Sequence, residues 1–316
     1  MWTSLFAVLL VAPMVCPAQA FPTRPVQVIV PFPAGSAPDI VARTLTERLG
    51  ATWGQGVVVE NRPGAGGIPG MTALIKSPPT GYTLAMVPAT VLTLTPFLFK
   101  EARFDPDRDI VPVAPVATTP LVLAVRPESG IRSLVDLVAM AKKSPDKVEV
   151  AVLANGATHY GLQYFNSVAG IRLFPVPYNG SPATLAAVLG GHHPALFEGL
   201  APLLGSVRSG KLTPIAVSSS SRLPGYENVP TIAETYPGFS VGGWLAVFAP
   251  AGTPTPVIER VNADVGAVLG DPAVVARLAE LIFYPFAGSP AELAEFVKRE
   301  RVLWTKIARD AGIQPQ

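Results

Sequence analysis

The sequence predicts an α/β protein of two lobes, each a mainly parallel sheet flanked by helices. Three observations carry that expectation. Short apolar β-forming runs alternate with helix-patterned runs along the chain. Each strand run is apolar throughout rather than alternating, as expected of strands covered on both faces. Two composition shifts, "RDIVPVAPVATTPLVLAVRP" around residue 117 and "PGFSVGGWLAVFAPAGTP" around residue 242, mark places where the chain changes lobe. Two crossings imply a discontinuous first lobe, residues 22–116 plus 242–316, and a continuous second lobe, residues 117–241. That layout is common in bilobal binding proteins whose cleft closes by hinge bending.

The elements follow in order. "VQVIVPF" is a strand run, and "PDIVARTLTERLG" is its helix. In that helix Ile40, Val41, Leu45 and Leu49 share a face opposite Arg43, Glu47 and Arg48, and Gly50 is the expected terminator. "GVVVENR" leads into "GAGGIPGMTALIKS", and "YTLAMVP" into "TLTPFLF". "PLVLAVR" precedes the helix "SLVDLVAMAKKSP", "VEVAVL" precedes "ATHYGLQYFNSVAG", and "LFPVPY" precedes "SPATLAAVLGG". "PALFEG", "LAPLLGSVRSG" and "LTPIAVSS" complete the second lobe. Three helices close the chain, each starting near Ser, Thr, Asp or Pro.

Composition narrows the function. The 316 residues carry a net charge of +2 and only 15% charged side chains, so no strong field points to nucleic acid or an anionic membrane. The first twenty residues hold no charged side chain. Their apolar stretch "SLFAVLLVAPMV" is too short to span a bilayer, and it ends in Ala18-Gln19-Ala20. Residues 1–20 therefore read as a secretory signal peptide, with a short membrane anchor as the alternative. The single cysteine, Cys16, lies inside that segment, so the mature chain is expected to have no disulfide and no thiol nucleophile. A periplasmic, monomeric protein is the simplest expectation.

The junction "VPFPAGSAPDIVAR" is the most informative stretch. A turn at the carboxyl end of a strand, leading into a helix, presents backbone N–H groups and the positive end of the helix dipole. Gly35 permits close approach of a ligand, Ser36 offers a cap or a hydroxyl, and Pro38 suits the first helical turn. Phe32 walls one side. No lysine or arginine stands in the turn. Such a turn suits a small carboxylate held by several charge-assisted N–H bonds, each worth roughly 1.5–3 kcal/mol. An ordinary βα turn is the alternative reading of these residues.

"VPFPAGSAPDIVAR", "VVVENRPGAGGIPG" and "PTGYTLAM", followed by "VPYNGSPATLAAVLGG", "RSGKLTPIAVSSSSRLPGYENVPTIAE" and "FAPAGTPTPVIERVN", resemble the Bug family, the extracytoplasmic solute receptors of tripartite tricarboxylate transporters. The resemblance covers about residues 22–316. It implies a periplasmic binding protein-like fold of type II, a Venus flytrap, with no catalytic activity, no cofactor and no metal. It implies a small carboxylate as ligand and membrane permease subunits as partners; a membrane sensor is the alternative partner. It also implies that the first-lobe turn, Phe32, Ala34, Gly35, Ser36, Ala37 and Asp39, holds the ligand carboxylate, with Ala89 added from the end of the third strand run. From the second lobe come Asn155, Gly156, Ala157, Thr158 and His159, and the stretch Tyr178–Ser181. Relatives often carry an aspartate where Pro194 stands here; Glu198 remains nearby.

Other motifs carry less. "GAGGIPG" is spaced G-x-G-x-x-x-G and interrupted by Pro69, unlike a dinucleotide fingerprint. His159, His192 and His193, without cysteines or a clustered acidic partner, suggest surface or capping roles rather than a metal site. Ser218–Ser221 reads as a solvated loop. Trp244 fits the cleft or the core equally.

Overall fold

The computed structural model describes residues 21–154 and 157–310. The expected signal peptide, Cys16, Asn155 and Gly156 lie outside the described residues. The strands are β1 (Val26–Val30), β2 (Val57–Asn61), β3 (Thr83–Pro88), β4 (Ile110–Val125), β5 (Glu149–Leu153), β6 (Phe174–Tyr178), β7 (Ala195–Gly199), β8 (Thr213–Val217), β9 (Gly242–Pro250) and β10 (Tyr284–Pro285). The first-lobe helices that precede β4 are α1 (Ala37–Trp53), α2 (Ile68–Ile75), α3 (Ala89–Thr93), α4 (Thr95–Leu98) and α5 (Pro106–Asp109). Between β4 and β9 come α6 (Leu134–Lys143), α7 (Ala157–Ala169), α8 (Ser181–Leu189), α9 (Leu200–Arg208) and α10 (Ile232–Thr235). The chain closes with α11 (Thr255–Leu269), α12 (Pro272–Glu280) and α13 (Pro290–Asp310).

The strands form one curled sheet in the order β2-β1-β3-β9-β4-β7-β5-β6, with β8 and β10 also paired to β4. Parallel pairing is confined to β2-β1-β3 and to β7-β5-β6. The strands that join the two triplets run antiparallel, so the sheet as a whole is mixed. The architecture is two-lobed and periplasmic binding protein-like.

Each parallel strand divides its side chains between two cores, as a period of two requires. In β1, Val28 and Val30 pack with Leu45, Val261 and Leu278, while Ile29 packs on the opposite face with Met71, Leu74 and Trp244. In the second lobe, Phe197 meets Phe165 and Leu137, whereas Leu196 meets Val188 and Leu203. Burial on both faces is why these strands read as unbroken apolar runs.

Three expectations are corrected. Gly50 does not end α1. Trp53 is buried and donates its indole N–H to Asp264 Oδ2 at 2.6 Å, which holds one more turn, and the left-handed Gly54 is the cap. The strand expected to begin at Pro120 begins at Ile110 instead: β4 runs 16 residues, and its register shifts beside Pro112 and Pro115 absorb residues that cannot donate to a ladder. Ser218 is not a solvating residue. It is fully buried, its hydroxyl accepts from the Leu121 amide at 2.9 Å, its amide donates to Leu121 O at 2.9 Å, and its carbonyl accepts from Val241 N at 3.2 Å.

β4 changes partners along its length. Ile110–Pro120 pair with β9, and Leu121–Val125 pair with β7 and β8. α13 spans the same divide: Leu293 and Val297 pack with first-lobe residues, while Trp304 and Ile307 pack with Phe165 and Phe239.

Ser218→Ala leaves the buried Leu121 amide without its acceptor. We expect urea unfolding to show a loss of about 1–3 kcal/mol. The exposed neighbour change Ser220→Ala is expected to stay within about 0.5 kcal/mol.

Candidate functional site

Strand register brings the two lobes' carboxyl ends to one place. Pro88, the last residue of β3, pairs with Leu245, and Leu245 pairs with Ala117 of β4. Gly199, the last residue of β7, pairs with Leu121 of β4. Ala117 and Leu121 are four residues apart on one strand, about 13 Å at ~3.3 Å per residue. The turns that follow β1 and β3 therefore lie near the turns that follow β5, β6 and β7. Crevices outside the carboxyl ends of parallel strands are where α/β folds bind ligands.

The first-lobe turn is built around Asp39, whose side chain is almost fully buried. Its Oδ2 accepts from the Gly35 amide at 2.8 Å and from Arg43 Nε at 3.0 Å. Its Oδ1 accepts from Asn61 Nδ2 at 2.9 Å, and the same amide nitrogen donates to Phe32 O at 3.1 Å. Burial alone pushes the Asp39 carboxyl up, but the Arg43, Gly35 and Asn61 hydrogen bonds together outweigh it and hold the group below its ordinary 3.8. Asn61 was not among the residues expected at the site. The signal for it lies in the parallel register, which sets Asn61 opposite Val30 at the end of β1.

This arrangement changes the expected roles within the turn. The Gly35 amide, expected to face a ligand, is engaged by Asp39, and the Ser36 amide by Pro33 O at 3.2 Å. Gly35 has φ +78°, so its place is set by the left-handed backbone of the turn. The donors that remain are those helix geometry leaves without an intrahelical acceptor, the amides of Ala37 and Asp39, since Pro38 has none. Ser36 is the N-cap residue but makes no side-chain cap, and its hydroxyl oxygen is buried without a hydrogen-bond partner. Ala34, Gly35 and Ala37 are exposed along the rim, Phe32 packs inward, and Ala89 is buried at the start of α3. The glycine-rich loop supports this turn. A side chain at Gly70 would meet Pro31 Cβ at 2.7 Å, so α2 packs directly on the residue that opens the turn.

The second-lobe edge combines the starts of α7, α8 and α9 with buried polar side chains. Ala157 opens α7, and Thr158 is buried with its hydroxyl accepting from Leu153 N at 2.9 Å. His159 lies 3.5 Å from Gln163 Nε2 and stacks on Tyr160; burial lowers its basicity. His159 Nδ1 and Gln163 Oε1 are both buried without a partner. Tyr178 ends β6, but its hydroxyl is engaged at 2.7 Å by His193 Nε2, and His193 Nδ1 lies 2.8 Å from Glu149 Oε2. His193 is thus a buried hydrogen-bonding residue, while His192 is exposed. Glu198, at the end of β7, is 3% exposed. Its Oε1 accepts from the Gly199 amide at 2.8 Å, and its Oε2 is buried with no partner. Burial pushes its carboxyl above the ordinary 4.5, against the pull of the Gly199 amide and the adjacent Ser181 hydroxyl.

Trp244 belongs to the core. It is buried against Phe296 and donates its indole N–H to Glu300 Oε2 at 3.2 Å. Among the described residues no group of three or more His, Cys, Asp or Glu is placed to hold a metal ion, and no helix is long and apolar enough to cross a membrane.

Residues 41–313 match the family model described as the tripartite tricarboxylate transporter family receptor. The chain is 36% identical over 298 residues to Protein BugT of Bordetella pertussis, covering 93% of this chain and 91% of that one. Among solved structures it resembles R. palustris Rpa4515 with adipate, at TM-score 0.73 and 31% identity, covering 94% of this chain and all of the other. It also resembles MatC from Rhodopseudomonas palustris with bound malate, at TM-score 0.68 and 30% identity, covering 91% and 99%.

Asp39→Ala is expected to destabilise the protein by about 2–4 kcal/mol in urea unfolding, because several donors lose one buried acceptor. The sign with pH follows from the depressed folded-state value: the contribution is full above the unfolded value of 3.8 and is lost as pH falls through the lower folded one. Asp39→Asn is expected to lack that acid-side slope.

Proposed function

This chain belongs to the tripartite tricarboxylate transporter receptor family, and we propose that it works in the periplasm as a monomeric solute receptor. It captures a small carboxylate between its lobes through backbone amides and delivers it to a membrane permease. The family is a receptor family, and the proposal contains no catalytic step and no cofactor.

One observation carries this reading. A buried, unpartnered Ser36 hydroxyl stands at the N-terminus of α1, beside the amides of Ala37 and Asp39 that no helical carbonyl satisfies. Neutral donors at a positive helix end favour an anion. Ala34, Gly35 and Phe32 form the rim and wall, and Ala89 lies at the end of the neighbouring strand β3. The adipate and malate in the two related structures support a carboxylated ligand. Asn155, Gly156, Ala157, Thr158, His159, Tyr178 and Glu198 are proposed to close on the ligand from the second lobe. Thr158 does so while anchoring its own loop and Tyr178 while held to the loop before β7, since their hydroxyls already have internal partners.

The energetics are adequate. Micromolar capture needs about −8 kcal/mol. A few charge-assisted hydrogen bonds at roughly 1.5–3 kcal/mol each supply it after ordering costs. The ligand draws the lobes together only if it binds the closed arrangement better than the open one.

The test is titration calorimetry, preceded by a thermal-shift screen against small mono- and dicarboxylates. At least one carboxylate is expected to bind in the micromolar range. Ser36→Ala is expected to lose about fivefold in affinity, corresponding to ~1 kcal/mol. Ser36→Asp is expected to abolish binding by setting like charges together. A screen in which no carboxylate binds, or a Ser36→Asp variant that binds as well as wild type, rejects the reading.

A further inference from the structure

The second lobe edge carries buried, unsatisfied side-chain acceptors in addition to helix starts. On the first lobe the helix-start amides of Ala37 and Asp39 are donors by chemistry. On the second lobe the starts of α7, α8 and α9 also leave amides, but there two side-chain acceptors, Glu198 Oε2 and Gln163 Oε1, are buried without partners, as is His159 Nδ1. An ionised carboxylate has no hydrogen to give.

The place of Glu198 in the fold sharpens the contrast. Leu196, two residues earlier and on the same face of β7, packs with Val188 of α8 and with Leu200 and Leu203 of α9. Glu198 therefore leaves the strand toward the N-termini of those two helices. Its Oε1 takes the Gly199 amide at the start of α9, and the hydroxyl of Ser181, the first residue of α8, stands beside the carboxylate and draws on it, while Oε2 keeps no partner. A lobe edge with two helix N-termini is a natural seat for an anion. Here the protein's own carboxylate occupies that seat, and one of its oxygens is left over.

We propose that Glu198 selects the cargo's far end: the ligand carries its carboxylate toward the Ser36 turn and a hydrogen-bond donor, an ammonium or a hydroxyl, toward Glu198. This deepens the receptor reading and rests on it. A bare second carboxylate there meets a buried like charge, which costs binding free energy unless a proton is taken up. A donor satisfies the stranded Oε2 instead, and a buried acceptor left unmade is the costlier state. Matching a polar group is also the stronger source of discrimination, because an analogue that lacks the donor leaves the protein's acceptor unpaired.

The experiment is calorimetry on the full mature chain at neutral pH. For carbon chains of four, five and six atoms, the unsubstituted acid, the ω-amino acid, the ω-hydroxy acid and the dicarboxylate are compared. At one length or more, a donor-bearing acid is expected to bind at least tenfold tighter than both the dicarboxylate and the unsubstituted acid of that length. Tighter binding by the amino than by the hydroxy acid identifies a charge pair; the reverse identifies a neutral donor; either supports the proposal. Glu198→Gln, which keeps the shape and removes the charge, is expected to narrow the margin over the dicarboxylate. A dicarboxylate that binds tightest in the wild type overturns the proposal while leaving the carboxylate receptor intact. So does an unsubstituted acid that matches the donor-bearing ones, or a Glu198→Gln variant with unchanged ratios. Binding of no carboxylate removes the receptor reading itself. The wild-type ratios decide the matter even if Glu198→Gln does not fold.

Discussion

One strand serves both lobes. β4 gives Ile110–Pro120 to the first lobe's sheet and Leu121–Val125 to the second's, so the partner exchange falls at a single peptide link. Everything placed at the carboxyl ends of β3 and β7 is positioned by register against that strand. Ser218 ties the exchange point on both sides, accepting from and donating to Leu121 and holding Val241. α13 reinforces it from outside, with Val297 in the first lobe's core and Trp304 in the second's. Any hinge motion has to carry the far end of α13 with the second lobe.

The Phe32–Asp39 turn illustrates a division of labour. A carboxylate ligand needs N–H groups aimed outward, yet a turn of exposed backbone is loose unless something fixes it. Asp39 supplies the fixing charge from beneath: it engages the Gly35 amide, the Arg43 guanidinium and Asn61, and leaves the helix-start amides unengaged. A buried carboxylate with several donors is stable because each lone pair has a partner. The positive charge of the half-exposed Arg43 is thereby paired within the chain. The support continues one layer down, where α2 reaches Pro31 through the close approach at Gly70.

The second lobe is organised differently. Its polar edge residues are held by hydrogen bonds within the lobe: Thr158 to Leu153 and Glu198 to Gly199 in their own turns, and Tyr178 to His193 in the loop before β7. The first and last of these fix βα turns as Asp39 does in the first lobe, and Glu198 Oε2, Gln163 Oε1 and His159 Nδ1 are left over.

The sequence by itself determined the α/β class, the strand–helix alternation and the strand–turn–helix form of the first βα junction. Those depend on local chemistry: unbroken apolar runs mark doubly covered strands, and the Pro-Ala-Gly-Ser-Ala-Pro stretch dictates a turn into a helix. It misjudged features whose cause is distant in the chain. Gly50 looked like a helix end until Trp53 found Asp264, more than two hundred positions away. The strand looked to begin at Pro120 until β9 supplied a partner able to take Pro112 and Pro115 at register shifts. Ser218 looked like surface until Leu121 and Val241 enclosed it. The split within the candidate site has the same origin. Which residue types stand in the turn is local, but which amides remain unengaged depends on Asn61 arriving from β2 and Asp39 turning back on Gly35. Only tertiary structure decides that, because a backbone donor is available to a ligand only when no other part of the chain reaches it first.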